Sequence, residues 1–359
     1  GAEGGVDGGE LDELRAGADH GENVHGETLP GRAGAAVPQS CHNGGVTDGV
    51  ADGAAGGVRV LHVNDIARIG SALVRRARAE GLRWDVYDTA RADPGWSPRT
   101  RALRRALRGA RWEAGLVRRA VRADLLDVHG ATVTAHTDWL RRPCVLHLHG
   151  TDIRVRRYQA RYADLVTRAV RRARDVYYTT PDLAEHVLDL RPDAVLQPFV
   201  GDVDELVGHE PAEPAGLAEP AEPAESVEHG PFRVLFASRW DAAKGGELQV
   251  EVLDALRSAY GDSIVLEGLD WGEGAPRAAR DHGVELRPRM GHDAYARWLA
   301  TGSVAVGQMT GCMGVSELEA VGSGVTTVMA LDRRWYDGAH DTTSDVPVLG
   351  GPVDRSEMV

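Results

Sequence analysis

VRVLHVNDIARIGSALVRRARAEGLRWDVYD, residues 58–88, is the stretch whose reading decides the fold. VRVLHV (58–63) is a nearly unbroken apolar run, the pattern of a strand buried on both faces. A loop, NDIARIG, follows. SALVRRARAEG (71–81) then spaces its apolar residues for a helix and stops at Gly81, and RWDVYD (83–88) reads as a second strand. Strand, helix, strand with short connections is a βαβ unit, which requires a parallel sheet. Working outward, DLLDVHG (124–130), PCVLHLHG (143–150), a helix across 158–173 and DVYYTT (175–180) continue the alternation. Residues 58–205 are therefore expected to form one doubly wound domain.

The alternation restarts further on. FRVLFAS (232–238), a helix over 247–260, SIVLEG (263–268), a helix over 275–282 and VELRP (284–288) come first. A helix over 293–300, SVAVGQ (303–308), a helix over 315–322 and VTTVMA (325–330) complete a second α/β domain, 231–330. Two other segments differ in texture. Residues 1–57 are rich in Gly, Ala, Asp and Glu without periodicity and are expected to be disordered. Residues 206–230 form a Pro/Glu/Ala linker, kept extended by its prolines. Residues 331–359 read as a C-terminal tail. Two such domains facing each other leave a cleft, with ligands expected at the C-terminal ends of the strands.

The chain has 359 residues and a net charge of −13. Residues 1–57 account for −8 of this and 206–230 for −6, so the folded part is close to neutral. The acidity belongs to the flexible segments and speaks to solubility, not to a basic ligand. No apolar run approaches the roughly 20 residues that span a bilayer, and no N-terminal segment has the form of a signal peptide. Three widely spaced cysteines, Cys41, Cys144 and Cys312, give neither a disulfide framework nor a CxxC zinc site, and point to a reducing, cytoplasmic setting.

The sharpest chemistry lies in the second domain. After its first strand comes SRWDAAKG (238–245), with Arg239 and Lys244 five residues apart in a strand-to-helix loop. Arg grips phosphate oxygens through a fork and Lys supplies a compact charge, so the pair suits a diphosphate at a helix N-terminus. Lys244 is the only lysine in the chain; the other 40 basic residues are arginines. A second segment, QMTGCMGVSELEAVGSG (308–324), puts Gly311 and Gly314 in a loop and Glu317 and Glu319 on a short helix. Glycines let a backbone approach a phosphate or sugar, and a carboxylate one turn into the helix can accept from two ribose hydroxyls.

Together, RxxxxKG and GxxGxxELEA resemble the donor domain of glycosyltransferase family 4, whose members have the GT-B fold. DVHGA, VLHLHGTD (145–152) and YYTTPDLAEHV (177–187) follow the opening strand in that family's order. The resemblance implies two Rossmann-like domains facing a cleft and transfer of a sugar from a nucleoside-diphosphate sugar to a glycan, lipid-linked or small-molecule acceptor. It also implies retention of anomeric configuration and no bound metal or other cofactor. Arg239 and Lys244 would meet the donor diphosphate, Glu319 the ribose, and the 311–314 backbone (Gly311, Cys312, Met313, Gly314) the sugar and phosphates. His149 would lie near the transferred sugar, and Gly70, Arg68 and Asp152 would line the acceptor side.

Three departures shape the alternatives. The family's E-x7-E pair would put a glutamate at 311, where this chain has Gly311; the opening loop NDIARIG lacks paired glycines; and LQPFVGDVDEL lacks the usual asparagine turn. A further C-terminal helix is expected beyond DRSEMV, so the sequence is expected to be truncated. A nucleotide-sugar-binding protein without turnover, or a nucleotide-sugar epimerase, remains open. A dinucleotide-dependent dehydrogenase is disfavoured because no GxGxxG follows the opening strand. His129, His136, His147, His149 and Asp152 are read as separate loop and strand-end residues, not a metal constellation. Finally, Arg99 to Arg122 hold nine arginines and one acid, Glu113, beside Leu103, Leu107, Ala110, Ala114, Val117 and Val121 at helical spacing. That helix either packs on its sheet with solvated arginines or docks on an anionic membrane, on the inner face. Nucleic-acid binding is not expected, since no recognised module accompanies the charge.

Overall fold

The computed structural model describes residues 57–89, 98–199, 231–338, 341–344 and 346–351. The readings of 1–57 as disordered and of 206–230 as a linker fall outside these residues, apart from Gly57. Within them the chain forms two six-stranded sheets, every strand pair parallel. The first sheet contains β1 (Val60–Val63), β2 (Trp84–Tyr87), β3 (Leu125–His129), β4 (Cys144–Leu148), β5 (Asp175–Tyr178) and β6 (Val195–Leu196), ordered β2-β1-β3-β4-β5-β6. Its helices are α1 (Ile69–Ala79), α2 (Pro98–Ala120), α3 (Thr151–Arg154), α4 (Ala163–Arg172) and α5 (Ala184–Val187).

The expected helix over 158–173 begins late. Arg156–Tyr158 form a separate 3-10 turn and α4 starts at Ala163. The core-facing series Tyr162, Val166, Ala169, Val170 only begins there, while Tyr158 is exposed. Nothing in 158–161 offers a face to bury, so no helix is stabilised there.

Alternation along the central strands sends two kinds of side chain to opposite faces of the first sheet. On one face Leu61, Val63, Leu126, Val128, Leu146 and Leu148 pack with Trp112 and Leu116 of α2 and Val166 and Val170 of α4. Each such aliphatic contributes about 1.5–3 kcal/mol by leaving water. The intervening residues His62, Asp127, His129 and His147 are equally buried but polar. The first turn of α1 lies over this polar face. A Cβ on Gly70 would stand 3.5 Å from His129 Nε2 and 3.1 Å from Asp65 Oδ1.

The second sheet contains β7 (Phe232–Phe236), β8 (Ile264–Leu269), β9 (Glu285–Arg287), β10 (Val304–Val306), β11 (Thr326–Ala330) and β12 (Leu349–Gly351), ordered β12-β11-β10-β7-β8-β9. Its helices are α6 (Gly246–Tyr260), α7 (Ala275–His282), α8 (His292–Leu299), α9 (Val315–Gly322) and α10 (Asp341–Ser344). The strand β12 corrects the reading of everything after 330 as a tail: Leu349–Gly351 pair with Val328–Ala330 and extend the sheet. LGG has too little apolar pattern to announce a strand; the partner β11 supplies the ladder. At the cleft, Trp335 Nε1 of the second domain donates to Glu185 Oε1 of the first at 3.3 Å.

Candidate functional site

Both sheets end in loops at the cleft. In the second domain, Trp240 anchors the loop after β7: it is buried, stacks on Phe236 and donates from Nε1 to Leu269 O at 2.9 Å. Its neighbours are thereby held at the strand end. Arg239 pairs with Asp241 at 3.3 Å and lies 5.1 Å over the Trp271 ring. Gly245, at φ 72°, closes the loop against the next strand end; a Cβ there would fall 2.7 Å from Met309 O. Met309 N–H donates to Lys244 O at 3.0 Å, and Lys244 Nζ donates to Gln308 Oε1 at 2.7 Å. The loop holding the lone lysine and the segment at 308–324 are thus one structure. Burial pushes the Lys244 pKa down and Glu317 opposes this, while Arg239 and Arg154 lower it further. Among the described residues Lys244 has no carboxylate within ion-pair distance.

The 308–324 segment is built differently from its expectation. Glu317 is fully buried and caps its own helix, α9, accepting from Gly314 N–H at 2.8 Å and Gln308 N–H at 2.9 Å, with the Ser316 hydroxyl at 2.9 Å. Met313 N–H donates to the Tyr336 hydroxyl at 2.7 Å. The amides of Met313 and Gly314 are therefore already engaged within the protein, so they do not face a ligand as free donors. Gly311 has φ 88°, a left-handed backbone that side chains rarely adopt. A side chain at 311 would be strained in that backbone. Glu319 accepts from His292 Nε2 at 2.7 Å, and burial raises its pKa against that hydrogen bond.

In the first domain the polar face of the sheet converges on one carboxylate. Register places His62 beside Asp127, and His129 beside His147. His147 Nε2 lies 3.3 Å from Asp127 Oδ2, His62 Nδ1 3.5 Å from the same oxygen, and His129 Nε2 3.8 Å from Oδ1. His62 Nδ1 is 3.0 Å from His129 Nε2, and His129 Nδ1 is 3.0 Å from His149 Nε2. Burial would raise the Asp127 pKa, but the surrounding imidazoles of His147, His129 and His62 hold it well below the usual carboxylate range. Burial pushes His129 down to about 3 and His149 well below its ordinary value.

Register thus brings together histidines that the sequence analysis read only as loop and strand-end residues. Ring nitrogens of His129, His147 and His149 lie within 4.8 Å of one another, as do the ligand atoms of His62, Asp127 and His129, so these are the residues that could hold a divalent ion. His136 stands apart, 2.6 Å from Glu113. Asp152 is not at the cleft surface: it is buried and accepts from Ala131 N–H at 2.9 Å and Gly150 N–H at 3.2 Å, fastening the loops that carry His149. Gly70 is buried in the first turn of α1, beside His129. Arg68 does reach across, close enough to Glu319 to act on its charge.

Several residues at the site carry no motif. Arg154 pairs with Asp182, and both act electrostatically on Cys312 across the cleft. Gln308, Tyr336, His292 and Phe199, which stacks 6.5 Å from His149, also belong here. Only H-x-H at 147–149 and D-x-H at 127–129, spaced to share a strand face, signalled any of this grouping in advance.

No family model matches the chain, and no curated protein matches it either. Solved structures of GT-B glycosyltransferases do. Anabaena HepE bound to UDP and glucose aligns at TM-score 0.53 and 12% identity, over 84% of this chain and 88% of that one. Sucrose-phosphate synthase from Thermosynechococcus elongatus aligns at 0.52 and 13%, over 84% and 88%. The UDP-forming α,α-trehalose-phosphate synthase from Burkholderia vietnamiensis aligns at 0.51 and 12%, over 84% and 89%. At such identities the likeness establishes the fold: two Rossmann-like domains in the GT-B arrangement.

Proposed function

We propose that this chain transfers a glycosyl group from a nucleoside-diphosphate sugar to a hydroxyl of a glycan, lipid-linked or small-molecule acceptor, with retention and without a metal. The observation that carries the proposal is Lys244. A half-buried cation, depressed by burial and by Arg239 and Arg154, sits at the end of a parallel strand with no carboxylate partner among the described residues. Such an arrangement is stabilised by a bound polyanion, and a diphosphate at the C-terminal edge of a doubly wound sheet is the ligand that fits. As the nucleotide leaves, Arg239 and Lys244 would stabilise the charge gathering on its phosphates. Glu319 would take the ribose, exchanging its bond to His292, and His149 would meet the sugar from the opposite wall.

Calorimetric titration of the full chain with UDP, GDP and ADP tests the reading. One nucleotide is expected to bind saturably; no binding by the folded chain refutes the proposal. A second reading, binding without turnover, draws on Gly311 and on the engaged amides of Met313 and Gly314. Nucleotide binding with no product from any acceptor would select it.

The reading extends to a membrane surface. Among the described side chains of α2 the buried residues are Trp112, Leu116 and Ala120, while Leu103 and Leu107 are 65% and 63% exposed with Arg104, Arg111 and Arg118, and just beyond the helix Val121 is 58% exposed beside the exposed Arg122. The apolar stripe therefore faces outward beside arginines, the arrangement of a helix that lies in an anionic interface. No helix among the described residues is long and apolar enough to cross a membrane. Vesicles rich in anionic lipid are expected to co-sediment with the wild-type chain and to lose it in the Leu103→Asp/Leu107→Asp variant.

A further inference from the structure

Two imidazoles and a carboxylate from neighbouring strands crowd together under α1. His62 Nδ1 of β1 lies 3.0 Å from His129 Nε2 of β3 and 3.5 Å from Asp127 Oδ2, while His129 Nε2 lies 3.8 Å from Asp127 Oδ1. Bonds of about 2.0–2.1 Å in a tetrahedral zinc site put neighbouring nitrogen and oxygen ligands about 3.3–3.4 Å apart, the middle of that range. All three residues are buried. Register fixes the set: β1 and β3 pair His62 with Asp127, and His129 follows two residues on, on the same face.

Protons alone leave this cluster incomplete. Asp127 Oδ1 is buried with no hydrogen-bond partner, and His129 Nε2 is too distant to donate to it. A cation between that oxygen and the two ring nitrogens would satisfy it. The surroundings also orient the ligands as a metal site requires. His147 Nε2 stands 3.3 Å from Asp127 Oδ2, placed to donate to the carboxylate. His129 bound through Nε2 would carry its proton on Nδ1, 3.0 Å from His149 Nε2, which can accept it. Asp65, held by the Ser71 amide at 3.0 Å, sets a second negative charge nearby. A Cβ on Gly70 would stand between them, 3.1 Å from Asp65 Oδ1 and 3.5 Å from His129 Nε2. Among the ligands only His62 has a second nitrogen, Nε2, without a partner.

We propose that His62, Asp127 and His129 hold one divalent transition-metal ion inside the first sheet, and the mixed imidazole and carboxylate set suits zinc. With both oxygens of Asp127 engaged, the donor atoms number four, the count of a closed structural site. The ion ties β1 to β3 beneath α1. It takes no part in the transfer, whose charge stabilisation lies with Arg239 and Lys244 in the other domain.

The test is metal content by plasma mass spectrometry on the full-length chain without an affinity tag, repeated after stripping with chelator and dialysis against Zn2+ or Co2+. Wild type is expected to hold about one ion per chain and to gain thermal stability on reloading. With Co2+ it should show the intense visible absorption of a tetrahedral site. These arms need no variant to fold. Asp127→Asn and His129→Gln should each weaken binding more than about 100-fold, and His147→Gln about 10–100-fold. His136→Gln, at the histidine that stands apart on Glu113, should bind as wild type does. A folded wild type that takes up no stoichiometric ion overturns the proposal. So does an ion kept by both ligand variants or lost in His136→Gln, which would make it an adventitious ion only. Nucleotide titration of the stripped chain separates this site from the transferase reading. Nucleotide binding by a chain that takes up no ion removes the metal site alone, and ion binding by a chain that takes no nucleotide removes the transferase reading alone.

Discussion

The C-terminal edge of the first sheet carries its chemistry on the strands themselves, whereas that of the second carries it in loops. His62, Asp127, His129 and His147 are strand residues brought side by side by register, and each is buried. Arg239, Lys244 and Gly311 sit in the segments that follow strands, outside the ladders themselves. The difference follows from cost. An uncompensated charge inside a sheet is expensive, so the buried face surrounds a single carboxylate with imidazoles, while the cations of the second domain stand in the loop after β7. Glu317 is the exception on the second edge, a carboxylate fully buried because two amides and a hydroxyl hold it.

That exception gives the largest expected effect. Glu317→Ala strands the Gln308 and Gly314 amides and should cost roughly 3 kcal/mol or more in a urea unfolding midpoint. A loss under about 1 kcal/mol would mean the second edge is not built on this carboxylate. Lys244→Ala should weaken nucleotide binding by about tenfold or more, as for loss of a charged hydrogen bond, while the unfolding midpoint holds. Equal losses in both measurements would make Lys244 structural and erase the contrast between rim cation and buried carboxylate. Gly311→Glu, which restores the expected motif residue, should lower stability by about 1–2 kcal/mol, because a side chain is forced into a left-handed backbone. Tighter donor binding in that variant would show that the loop can rearrange to use the glutamate.

The smallest effect is in pH dependence. The Glu319 pKa is raised in the folded chain, by burial, so its contribution to stability is fully present below the ordinary carboxylate range. It is lost as pH rises through the raised value. Glu319→Gln is accordingly expected to flatten the stability profile above that range; an unchanged profile would place the slope elsewhere.

Much of the fold was legible. The helix over 275–282 and the helix over 315–322 stand where their periodicity placed them, and most strands shifted by a residue or two. The strands that escaped notice, β6 and β12, have two and three residues and no alternation to read. At the site, RxxxxKG marked the lysine loop because residue type and spacing are local. Glu317 was legible as a helix residue but not as the cap of its own helix, since that role depends on where the Gln308 amide points.

The sequence by itself determined the alternation of strands and helices, the division into two parallel-sheet domains, and the loop where Arg239 and Lys244 stand. These are consequences of periodicity and short spacing, which act within a few residues along the chain. Only the tertiary structure decided that Gly70 and Asp152 are buried, that Leu103 and Leu107 of α2 face outward, and that the histidines gather around Asp127. Those outcomes depend on which strands lie side by side and in what register. His62 and Asp127 are 65 residues apart in sequence, and the ladder between β1 and β3 is what makes them neighbours.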